Sequence, residues 1–207
     1  MENILVVGAT GTTGKKVVRL LKESQYFEPI AMVRKESQSV EFKAHQVKTV
    51  HGDLENDVSH TVENIDKIIF AAGSGGKKVV EIDQEGAKKM VDAARNAGVK
   101  KFVMLSSMGA DAPEKASELK EYLRAKHNAD EYLKSSSVPY TIVRPGALTN
   151  EKGSGKITLG KSIAKDGSIS RADVAQVLSR VLHDDTSKNK TFEILSGDTI
   201  IGEALPN

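Results

Sequence analysis

Tyr122 and Lys126 stand four residues apart in the run Tyr122-Leu123-Arg124-Ala125-Lys126, so on a helix they share one face. On such a face a lysine ammonium favours a phenolate, and the tyrosine becomes able to exchange a proton with a bound substrate. The pair also reads as packing, because Tyr122, Ala129 and Leu133 form a helical stripe. A hydroxyl at a neighbouring strand end would complete a site of this kind by polarising a carbonyl. Leu105-Ser106-Ser107-Met108-Gly109 follows a β-rich run and offers two.

Anion-binding chemistry sits near the start. Asn3-Ile4-Leu5-Val6-Val7 runs into Gly8-Ala9-Thr10-Gly11-Thr12-Thr13-Gly14 and then into the helix-like Lys15-Lys16-Val17-Val18-Arg19-Leu20-Leu21. Glycines let backbone N–H groups approach an anion with no Cβ in the way, and a helix opening at Gly14 aims its positive end at the same spot. A bare strand-to-helix turn also uses glycine. The strand before, the helix after and a charged residue twenty positions beyond Gly14 favour a dinucleotide, with Gly8, Thr10, Gly11, Thr12, Thr13 and Gly14 around its pyrophosphate. That charged residue is Arg34, followed by Lys35, at the place where an NAD-binding protein typically carries an acid. A guanidinium there can pair with a 2′-phosphate, so NADP(H) is the expected cofactor and NAD(H) the other option, Glu36 being within reach of a ribose. Ala71, Ala72 and Gly73 end the fourth apolar run and would let backbone lie against ribose and pyrophosphate. The Gly75-Gly76 pair beyond them reads equally well as plain loop.

With Ala9-Thr10 in its gap, the spacing Gly8-x-x-Gly11-x-x-Gly14 resembles the extended and atypical short-chain dehydrogenase/reductases. The nearest likeness is to small NmrA-like and epimerase-like members, and more distantly to biliverdin-IXβ/flavin reductase, over nearly the whole chain. The resemblance implies a nicotinamide cofactor and assigns roles. Asp53 and Leu54 would contact adenine, Ser107 would polarise the substrate with Ser106 close behind, and Lys126 would hold the nicotinamide ribose. Tyr122 would donate the proton, and Pro145 and Gly146 in Arg144-Pro145-Gly146 would pack the nicotinamide. Plainer readings stand beside these, since Asp starts turns and Pro-Gly ends strands. Tyr122 comes fifteen positions after Ser107, fewer than extended members show. The expected activity is reduction of a small carbonyl, quinone or flavin-like substrate by NAD(P)H. The alternatives are a non-catalytic NADP(H) sensor and an epimerase or dehydratase with bound NAD.

The chain of 207 residues has 30 Lys+Arg against 28 Asp+Glu and no cysteine. Charges so balanced and interspersed argue against nucleic acid or an anionic membrane as partner. Absence of cysteine excludes disulfides and thiolate chemistry and suits a reducing cytoplasm. His45, His51, His60, His127 and His183 show no ligand spacing, so no metal is expected. No Gly-x-Ser-x-Gly elbow occurs. A monomer or homodimer acting on a small molecule is the expectation.

Seven β-rich runs alternate with helical patterns: 4–7, 30–33, 47–50, 67–71, 101–105, 140–143 and 192–195 against helices near 14–24, 57–64, 77–97, 116–136 and 171–183. This rhythm predicts one α/β domain over 1–207, a Rossmann-type doubly wound parallel sheet of about seven strands with helices on both faces. Glu151 to Lys156 reads as a flexible loop, within a short substrate lid at about 147–170. Ser170 and Asp173 form a helix entry like a capping box.

Overall fold

Ile4, Leu5, Val6 and Val7 are buried completely or nearly so, and they alternate between two hydrophobic clusters. That is the signature of a strand covered on both faces. In the computed structural model, which describes residues 1–164, 166–183 and 187–205, they belong to β1 (Glu2–Val7), flanked by parallel neighbours on both sides. The other strands of the parallel set are β2 (Phe27–Val33), β3 (Lys48–His51), β4 (Lys67–Phe70), β5 (Lys101–Leu105), β6 (Tyr140–Pro145) and β10 (Lys190–Ser196). They correspond to the seven expected runs. Two antiparallel strands, β8 (Lys156–Gly160) and β11 (Thr199–Ile200), extend the β10 edge, so the sheet has nine strands in the order β11-β8-β10-β6-β5-β4-β1-β2-β3. A separate parallel pair joins β7 (Ala147–Thr149) to β9 (Ser168–Ser170).

On one face α1 (Thr12–Lys22), α2 (Glu36–Ala44) and α5 (Arg171–Arg180) bury Val17, Leu21, Phe42, Val174 and Leu178 against Ile4 and Val6. The other face carries α3 (Ala87–Asn96) and α4 (Lys120–Ser135), with Met90, Val91 and Leu133 packed against Leu5 and Val7. A four-residue α6 (Ile201–Ala204) closes the described chain. The helix expected near 77–97 is split into a π-helical segment, Val79–Gly86, and α3, which ends at Asn96; Gly98 just beyond, with φ +68°, lets the Val99 amide turn back to the Ala94 carbonyl.

Three further sequence expectations need correction. The helix near 57–64 is one 3₁₀ turn, Ser59–Val62, nucleated where Asp57 accepts from the Ser59 amide and hydroxyl. Helix α2 is unannounced in the sequence, because it buries only Ser39 and Phe42 and lacks an apolar stripe. The run 151–156 is anchored rather than free: Asp173 accepts from the backbone amides of Ser154 and Gly155, and from the Ser170 hydroxyl, while Ser170 accepts from the Asp173 amide. The lid region at 147–170 thus builds β7, β8 and β9; Lys165 within it lies outside the described residues.

Candidate active site

The strand order turns back between β1 and β4, with β2 and β3 leading away on one side and β5 and β6 on the other. Ligands of such sheets bind at that switch point, beyond the carboxyl ends of the strands. A cleft of about 370 Å³ lies there, lined by Gly8, Thr10 and Gly11 after β1, Met32 and Arg34 of β2 and the turn after it, and Gly52 and Leu54 after β3. Ala71, Ala72, Gly73, Ser74, Lys77, Lys78 and Ile82 supply the β4 side.

The three loop glycines are glycine for different reasons. A Cβ on Gly8, where φ is +84°, would lie 2.6 Å from backbone atoms of Ala72, so the loops after β1 and β4 are pressed together. A Cβ on Gly14 would collide with the Gly8 carbonyl. Gly11 has φ −74°, so its conformation does not demand glycine, and a Cβ there would meet only the Gly8 carbonyl oxygen, tightly at 3.3 Å, a far milder constraint than at Gly8 or Gly14. Its missing side chain leaves room in the cleft itself. Gly11 is also the N-cap of α1, so the helix's positive end opens where that room lies.

Arg34 is held by its backbone and free at its tip. The Gln38 side chain accepts from the amides of Arg34 and Lys35, and the Arg34 carbonyl is 2.7 Å from His51 Nε2. No carboxylate pairs with the guanidinium of Arg34 or the ammonium of Lys77 among the described residues, whereas Lys78 is bound to Glu55 at 2.6 Å. The cleft lining contains no acidic residue. The buried Ser74 hydroxyl has no hydrogen-bond partner, an orphan polar group on the cleft wall.

Tyr122 and Lys126 lie on one face of α4 as their spacing required, with the Lys126 ammonium 5.6 Å from the Tyr122 ring centroid. Lys126 is 4% exposed; its ammonium donates to the Leu105 carbonyl at 3.4 Å, which places it at the end of β5 where Ser106 and Ser107 follow. Its counter-charge is Asp83, 3.2 Å away. Ser107 is half-buried and donates to the Met108 carbonyl, while Ser106 is buried and donates to Asp130 at 2.8 Å. Asp130 is also gripped by Arg144 Nε at 3.0 Å and Nη2 at 2.9 Å. Burial pushes the Asp130 carboxyl above the usual carboxylate range, against the opposing pull of Arg144 and Ser106. Ser106, Asp130 and Arg144 therefore form a buried brace joining β5, α4 and β6.

The expected residues thus divide. Gly8, Thr10, Gly11, Arg34, Leu54, Ala71, Ala72 and Gly73 line the cleft. Thr12, Thr13 and Gly14 form the first turn of α1, and Lys35 caps α2. Asp53 accepts from the Glu55 amide, the turn-starting role. Pro145 ends β6, and Gly146 is glycine because Gly167 and Leu195 crowd it. Met32, Ser74, Lys77, Lys78 and Ile82 join the cleft lining without having been expected. The lysine pair after the glycine-rich run was the one legible signal among them. Asp83 was missed altogether.

Residues 8–185 match the model of a family described as NAD(P)H-binding. The chain belongs to that family. The NAD(P)H-binding family is the one its switch-point cleft suits: room above Gly11, a helix N-terminus, unpaired cations and no carboxylate are what a dinucleotide phosphate requires. Over 210 residues the chain is 39% identical to a sugar epimerase of Bacillus subtilis (strain 168), YhfK, itself uncharacterised, covering 98% of each chain. The sanguinarine reductase of Eschscholzia californica is 29% identical over 253 residues, covering 97% of this chain and 91% of the reductase. A solved structure from Bacillus halodurans, described as an NAD-dependent epimerase/dehydratase, superposes with a TM-score of 0.95 at 40% identity and 99% coverage of both chains. No helix among the described residues is long and apolar enough to cross a membrane.

Proposed function

We propose that the protein is an NADPH-dependent reductase of small carbonyl, quinone or flavin-like acceptors. The observation that carries the proposal is Gly11, the loop glycine that the protein's own packing constrains least and that lines the cleft at a helix N-terminus. Backbone amides of the Gly8–Gly14 loop would hold the pyrophosphate, and Ala71, Ala72 and Gly73 would let the ribose approach. Arg34, fixed by Gln38 and His51 but unpaired at its tip, would take the 2′-phosphate, which selects NADPH over NADH. Lys77 stands on the opposite wall as a second unpaired cation.

The bound nicotinamide supplies the hydride. Lys126 would hold its ribose at the end of β5, Ser107 would orient the acceptor, and the Tyr122 hydroxyl would deliver the proton that balances the transferred hydride. The names of the reductase relative and of the family support this class of reaction, and the acceptor class follows the resemblance to biliverdin-IXβ/flavin reductase.

One observation favours a second reading, a non-catalytic NADP(H) sensor. The Lys126 ammonium is buried and already ion-paired with Asp83, so part of its charge is taken up by a carboxylate and less is left to favour a Tyr122 phenolate. An epimerase with reversibly reduced NAD fits less well, because 147–170 is committed to β7, β8 and β9 and leaves little chain for a sugar-nucleotide lobe. Following NADPH oxidation against a panel of quinones, aldehydes and flavins separates these. Turnover that disappears in Gly11→Val supports the reductase, and tight NADPH binding with no turnover on any acceptor supports the sensor.

A further inference from the structure

Asp83 has no part in the chemistry described so far, yet it touches both halves of the site. It is 1% exposed and lies in a π-helical segment, Val79–Gly86, that leads into α3. Its Oδ2 accepts from the backbone amide of Ser74, on the wall of the dinucleotide cleft, at 3.0 Å. Its Oδ1 is 3.2 Å from Lys126 Nζ. That oxygen is fully buried and receives no well-directed hydrogen bond, and the Lys126 contact with Leu105 is long at 3.4 Å. The ammonium is therefore held by the Asp83 charge and one long hydrogen bond, which leaves N–H groups over for a ligand. The same π-helical segment grips α4 a second time, through Gln84, which accepts from Asn128 at 2.6 Å. Wide helical turns of this kind are frequent at functional sites.

We propose that Asp83 is a positioning residue that holds Lys126 for the nicotinamide ribose and ties it to the cofactor loop at Ser74. The proposal rests on the placement of NADPH in the cleft given above. A buried ammonium without a counter-charge is costly and turns toward water. Asp83 removes that cost and fixes the ammonium at the carboxyl end of β5, beside the Tyr122 ring. Because one carboxylate serves both Ser74 and Lys126, the loop that meets the pyrophosphate side and the lysine that meets the ribose move together.

The test uses two ligands on the whole protein: NADPH, and adenosine 2′,5′-bisphosphate, which carries the adenine half and lacks the nicotinamide ribose. Calorimetry is run on wild type, Asp83→Asn, Lys126→Met and the double variant. The amide of Asp83→Asn keeps an acceptor for Ser74 but gives up the charge. NADPH affinity is expected to fall about tenfold in Asp83→Asn, the size of one charge-assisted hydrogen bond lost, with bisphosphate affinity changing less than about twofold. Lys126→Met should match it, and the double variant should lose no more than either single change, the mark of one shared interaction. Unchanged NADPH affinity in Asp83→Asn overturns the proposal while leaving the cofactor site intact. Equal weakening of both ligands also overturns it, since Asp83 would then merely support the loop. If Asp83→Asn fails to fold with an unpaired lysine inside, the double variant is compared with Lys126→Met: equal NADPH affinity supports the proposal, and a further loss in the double variant, on either ligand, overturns it. Wild-type protein that binds neither ligand overturns the dinucleotide site and the Asp83 role together.

Discussion

Lys126 carries its ammonium 5.6 Å from the centre of the Tyr122 ring, a cation over an aromatic face on one side of α4. Phenylalanine would keep that face, so Tyr122→Phe isolates the hydroxyl. If the hydroxyl delivers the proton, turnover should fall by about 10²- to 10⁴-fold while NADPH affinity stays unchanged. Steady-state kinetics with the best acceptor of the panel checks this. Turnover equal to wild type would leave Tyr122 a packing role.

Gly11→Val and Gly14→Ala should part company. At Gly11, which lines the cleft, a Cβ meets only the Gly8 carbonyl oxygen, at 3.3 Å, so Gly11→Val should stay folded at a small cost in stability and lose NADPH binding. At Gly14 even a methyl collides with the Gly8 carbonyl, so Gly14→Ala should destabilise the fold by about 1–3 kcal/mol through overpacking. Thermal melts and calorimetry on both variants test the contrast. A Gly11→Val protein that is folded and still binds NADPH would show that the cofactor lies elsewhere.

Asp66 gives the stability of the fold a defined acid limb. Its carboxyl is held below the usual carboxylate range by hydrogen bonds from Lys100, at 2.7 Å, and from the Asn3 amide, at 2.9 Å. A depressed folded pKa contributes stability that is full above the unfolded value and is lost as pH falls through the folded one. For Asp66 that loss begins below about pH 5 and continues past its ordinary 3.8. Asp66→Asn should therefore cost stability at neutral pH and cost progressively less in acid. Urea unfolding across that range measures it, and a penalty independent of pH would contradict the assignment.

The central parallel strands were legible because they are covered on both faces and so largely apolar, as in Ile4 to Val7, whereas the edge strand β3, Lys-Thr-Val-His, is only partly buried. Helix α2 was not, since an edge helix that buries little leaves no periodicity to read. Glycine spacing located the cleft, and Arg34 announced itself by standing where an acid is usual. The far wall was invisible: Met32 and Ile82 look like any core residue, and their place at the switch point arises from tertiary packing alone. Asp83 escaped for a related reason. Its partners Ser74 and Lys126 are 9 and 43 positions away, and nothing in a run of Val-Val-Glu-Ile-Asp-Gln-Glu distinguishes a buried acid from its two exposed or half-exposed neighbours.

The claim on which the rest depends is that the switch-point cleft holds NADPH with Arg34 on its 2′-phosphate. Calorimetric titration of NADPH and NADH into wild type and Arg34→Ala tests it most directly. NADPH should bind wild type at least about tenfold more tightly than NADH, and Arg34→Ala should remove most of that difference while leaving NADH affinity nearly unchanged. Equal affinities in the wild-type protein, or a preference for NADPH that survives Arg34→Ala, would contradict it.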